Sequence, residues 1–75
     1  MYDGHMPELT RLTVNLTAKS AGCLEESAAA EDLSRTDIVN RALQTYAFFM
    51  KEQREGSVIY LRRPDDPDLE RVRLL

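Results

Sequence analysis

Residues 11–17 read Arg11-Leu12-Thr13-Val14-Asn15-Leu16-Thr17. Leu12, Val14 and Leu16 alternate strictly with Arg11, Thr13, Asn15 and Thr17. In an extended chain, successive side chains point to opposite faces. The alternation therefore predicts one strand, over residues 10–17, with an apolar face and a polar one. The polar face carries a guanidinium, an amide and two hydroxyls. The sequence that follows at once reads as helix. The strand's ladder partner must then come from far along the chain or from a second chain, because its backbone groups cannot stay unpaired when covered.

Outward from this stretch, Thr17 has the chemistry of an N-cap, and the spacing predicts a first helix over residues 18–32. Ala21, Leu24 and Ala28 recur at helical spacing and Leu33 closes the segment. Gly22 costs this helix about 1 kcal/mol relative to Ala. Its apolar face is built of small residues, which lets another element come close but buries little area. Ser34-Arg35-Thr36-Asp37 then has the capping-box form, with a hydroxyl three residues ahead of an acid. A second helix is predicted over residues 35–55. Ile38, Val39, Ala42, Leu43, Tyr46, Phe49 and Met50 form a wide apolar stripe, and Gly56 is the stop.

Residues 1–9 show no periodicity and read as a disordered arm. Gly4-His5-Met6 within it resembles a tag remnant. Beyond Gly56, Ser57 to Arg62 alternates and is rich in β-formers, Pro64-Asp65-Asp66-Pro67-Asp68 is turn chemistry, and residues 69–75 alternate again. Residues 57–75 are expected to form a β-hairpin or paired arm. Phe48 lies off the apolar stripe beside Arg41, Gln44 and Lys51, and the tail is expected to cover it.

Size and composition narrow the class. Seventy-five residues make a single small domain with a thin core. One cysteine excludes an intrachain disulfide, and no Cys/His cluster offers a metal staple. Oligomerisation remains as the stabilising device. No apolar run reaches membrane-spanning length and no signal-peptide pattern opens the chain, so a cytoplasmic location is expected. The net charge of −3 argues against nucleic acid as a whole-chain property, yet the strand carries Arg11 and no acid. Two copies of the strand, paired antiparallel about a two-fold axis, would turn Leu12, Val14 and Leu16 onto the helices. Arg11, Thr13 and Asn15 of both copies would then face outward together, on a ribbon of the width the DNA major groove admits.

The stretch from Arg11 to Tyr46, about half the chain, resembles the ribbon-helix-helix family of Arc/MetJ-type DNA-binding repressors. The residues that carry the resemblance are the alternating strand, a first helix of matching length, and Leu33-Ser34-Arg35-Thr36-Asp37-Ile38-Val39-Asn40-Arg41-Ala42-Leu43. It implies an α+β fold, ribbon-helix-helix over residues 10–56, in an intertwined homodimer joined by an intermolecular two-stranded antiparallel ribbon. The C-terminal β extension lies outside the shared module. It also implies sequence-specific binding of double-stranded DNA at a short pseudo-palindromic site, as in a transcriptional repressor. Base contacts would fall to Arg11, Thr13 and Asn15. Phosphate contacts would fall to Ser34, Arg35 and Thr36 at the opening of the second helix, with Lys19 as a further backbone contact. The chain departs from the family in placing Asp32, not Gly, at the turn between the helices, and in holding Asp37 near the phosphate site. An antitoxin, or another module that holds a protein partner through residues 57–75, is the alternative.

Other constellations point elsewhere less well. Cys23 has no companion His. Glu25 and Glu26 are adjacent and diverge on a helix. Asp65, Asp66 and Asp68 lack the spacing of a calcium loop. Tyr46, Phe48 and Phe49 read as packing residues. With no nucleophile–base pair, metal set or glycine-rich phosphate loop in the sequence, neither an enzyme nor a cofactor is expected.

Overall fold

A computed structural model of the chain describes residues 9–74. Residues 1–8, with His5 and almost all of the expected N-terminal arm, lie outside the described residues, as does Leu75. The fold is small and α+β. Helix α1 (Ala18–Glu31) is followed by α2 (Arg35–Arg54), then by strands β1 (Ile59–Leu61) and β2 (Glu70–Val72) in a two-stranded antiparallel sheet.

Local chemistry sets each helix boundary. Thr17 is extended, and its hydroxyl accepts a hydrogen bond from the Ser20 amide at 3.1 Å. At the other end of α1, Asp32 adopts the left-handed conformation (φ 53°, ψ 48°). Its amide donates to Ala29 O, and the Leu33 amide donates to Ala28 O at 3.0 Å. This pair of bonds is a Schellman closure, a role usually taken by Gly. It places a non-glycine residue at positive φ and an acid at the negative end of the helix dipole. Ser34 caps α2, its Oγ accepting from the Asp37 amide at 3.0 Å. The return bond of a capping box is absent among the described residues, so only half of the box forms. Gly56, at φ +95°, ends α2 through Gly56 N to Gln53 O and Ser57 N to Glu52 O. Asp37 in the first turn of α2 and Lys51 and Arg54 in the last complement its dipole, whereas α1 has neither an acid in its first turn nor a base in its last.

The hairpin pairs Ile59 with Val72, Tyr60 with Arg71 and Leu61 with Glu70. Its loop opens on an Arg63–Asp66 turn, with Pro64 second, Asp65 third at φ 65°, and the Asp66 amide on Arg63 O. The Asp68 amide then donates to Asp66 Oδ1 at 2.9 Å. An ion pair between Arg63 and Glu70 ties the loop to β2.

Residues 10–17 differ from the expected strand. They form no ladder, and no other stretch among the described residues pairs with them. Phe48 also differs: it stays 58% exposed, touching Phe49 edge to face at 5.3 Å between ring centres. The tail turns to another side. Leu74 lines an open groove of about 600 Å³ with Ser27, Glu31 and Ile38 from the helix corner and Tyr46 and Phe49 from α2.

No described residue is fully buried. The half-buried apolar residues include Leu24, Ala28, Leu33 and Ile38 around the helix corner and Phe49, Met50, Ile59, Val72 and Leu74 from the end of α2 and the tail. The chain exposes 7193 Å². A folded monomer of 8.6 kDa typically exposes about 4,700 Å². None of the described helices is long and apolar enough to cross a membrane.

Candidate nucleic-acid interface

Two segments bring together the polar groups singled out above. The first is the stretch ahead of α1. Arg11, Thr13 and Asn15 are all exposed on it. The alternate residues are exposed too, and decreasingly so toward α1: Leu12 is 74% accessible, Val14 57% and Leu16 47%. An apolar row of this kind costs free energy in water, at about 25 cal/mol per Å² left uncovered. The unpaired backbone and the uncovered leucines thus sit on the same few residues.

The second segment is the N-terminus of α2. The Asp37 amide is taken by Ser34 Oγ and the Ile38 amide by Ser34 O. The amides of Arg35 and Thr36 have no acceptor among the described residues. Two open N–H groups at the positive end of a 20-residue helix make a ready anion cradle. Thr36 is further fixed through its carbonyl, which accepts from Asn40 Nδ2 at 2.8 Å.

Arg35 is not simply turned to solvent. Its Nε donates to Glu25 Oε2 at 2.6 Å, bridging α1 and α2. That hydrogen bond, and then the carboxylate's charge, raise the guanidinium's pKa above its ordinary value. Part of the Arg35 charge is thus already answered by an acid. Arg41 and Glu31 stand at 3.9 Å in a second interhelix pair. Sequence reading missed both partners. Ten residues separate each acid from its arginine, and only the tight Asp32–Ser34 turn brings them together. Lys19 lies exposed in the first turn of α1.

The chain matches no family model, no curated protein and no solved structure.

Proposed function

We propose that this chain is a ribbon-helix-helix protein: an intertwined homodimer that binds double-stranded DNA in a sequence-specific manner and represses transcription. The observation that carries this reading is the exposed apolar row Leu12, Val14 and Leu16 on a segment that pairs with nothing among the described residues. Val39, Leu43 and Tyr46, exposed along one side of α2, add to it. Pairing two such segments antiparallel would give each backbone a ladder along one edge, turn both apolar rows together toward the helices, and set the Arg11, Thr13 and Asn15 side chains outward on one ribbon. In the major groove, Arg11 would pair with guanine O6 and N7, Asn15 with adenine N6 and N7, and Thr13 with an acceptor or a thymine methyl. The open amides of Arg35 and Thr36 would each hold a phosphate oxygen, with Ser34 at the same helix end, while Lys19, in the first turn of α1, would meet the backbone separately.

Selection of bound sequences from a random duplex pool tests this reading. An enriched two-fold symmetric site is expected. Arg11→Ala and Asn15→Ala should each lose about 1–3 kcal/mol of discrimination per base contact, measured by fluorescence anisotropy, while the dimer stays folded. Absence of any enriched site, or wild-type specificity in both variants, would refute it.

A second reading rests on the hairpin, which is a built element with its own turn and its own ion pair. In this reading residues 57–75 hold a protein partner, as in an antitoxin. Co-purification of one defined partner with the full chain, but not with a chain ending at Gly56, is the expected result.

A further inference from the structure

The register of the hairpin sorts its charges. Tyr60 and Arg71 are opposite one another and share a face. Alternation extends that face to Val58 and Arg62 on one side and to Leu69 and Arg73 on the other. All six are exposed, whereas Ile59, Val72 and Leu74 on the reverse face are half-buried. The outer face therefore carries three arginines and no acid. The acids of the tail lie elsewhere: Asp65, Asp66 and Asp68 are in the loop, and Glu70, on the reverse face, is paired with Arg63.

We propose that the outer edge of β2 takes up an extended segment of a partner protein as a third antiparallel strand, and that acidic residues alternate with apolar ones in that segment. The inference rests on the protein-binding reading of residues 57–75. Three observations select this occupant. The β2 edge makes no further backbone hydrogen bond among the described residues, and an isolated pair of three-residue strands is marginal in water. Acids opposite Arg71 and Arg73 would form cross-strand ion pairs, while apolar residues in between would extend the half-buried Val72 and Leu74 row. A second copy of β2 fits poorly, since antiparallel self-pairing sets arginine against arginine. DNA is the rival occupant, since Leu74 shares a groove with Ile38 near the opening of α2, and the salt dependence below separates the two.

The test uses the full chain and two labelled synthetic peptides of equal composition. In one, Glu and Val alternate; in the other, the same residues stand in two blocks. Fluorescence anisotropy should show the alternating peptide binding about tenfold tighter. Arg71→Gln with Arg73→Gln should lose that preference, Arg71→Lys with Arg73→Lys should keep it, and amide shifts on binding should centre on residues 70–74. Equal affinity for the two peptides, or preference retained in the double Gln variant, overturns the inference. So does a double Gln variant that loses DNA affinity with a shallower salt dependence, which would assign the arginines to phosphates. A partner held through residues 57–75 without any preference between the peptides defeats this inference alone. No polypeptide bound by those residues defeats the protein-binding reading with it.

Discussion

Shortening Leu43 to Ala should weaken self-association about a hundredfold, while the same truncation at Phe48 leaves it unchanged. Both side chains are 58% exposed. They stand five positions apart on α2, about 140° around the helix, so they cannot serve the same interface. Leu43 lies with Val39 and Tyr46 on the exposed side of the apolar stripe. Its truncation removes Cγ and both Cδ carbons, worth about 0.8 kcal/mol each when fully taken from water. Scaling by the 58% still open to a partner leaves about 1.4 kcal/mol per chain and about 2.8 kcal/mol per dimer. That corresponds to a dissociation constant raised about a hundredfold. Sedimentation equilibrium gives the constant directly, and the melting temperature of the wild-type chain should rise with protein concentration. A wild-type chain that is monomeric and melts at a concentration-independent temperature would refute the reasoning. So would a Phe48→Ala variant as weakened as Leu43→Ala.

Three substitutions probe the local chemistry of the helices. Ser34→Ala removes the acceptor for the Asp37 amide and should cost about 1 kcal/mol, lowering the melting temperature by about 4–8 °C. Asp32→Gly relieves the left-handed backbone and removes an acid from the C-terminus of α1. It should stabilise by about 1 kcal/mol in a denaturant titration with an unchanged slope. A Cβ built on Gly22 meets nothing within 4 Å, so Gly22→Ala should also stabilise, by up to about 1 kcal/mol. A destabilised Gly22→Ala dimer would mean instead that a second chain packs closely against α1.

The parts of the fold legible in the sequence are those fixed by a few neighbouring residues. Thr17, Ser34 and Gly56 cap or stop helices through bonds spanning three to five residues, and the sequence places them correctly. The turn chemistry of Pro64–Asp68 is equally local. What depended on distant geometry was not legible. A ladder for residues 10–17 requires a second strand, which is not a property of those residues. The helical wheel puts Phe48 off the apolar stripe, but it cannot say on which side of α2 the tail returns. The tail brings Leu74 to the groove that Tyr46 and Phe49 line. At the candidate site, the open amides of Arg35 and Thr36 follow from the cap. The hold of Glu25 on Arg35 follows only from the turn at Asp32, so Arg35 comes to any phosphate with a carboxylate already attached.

The absence of a fully buried residue among those described would, in the proposed dimer, give the chain's abundance a controlling role. A polypeptide with so little shielded surface has a small reserve of stability alone, and a second copy must arrive by collision. The ordered population of such a dimer would rise faster than in proportion to the amount made. Copies made below its dissociation constant would remain open to proteases, and copies above it would protect one another. Synthesis rate and turnover would thereby act as a switch on activity, with no ligand or modification required.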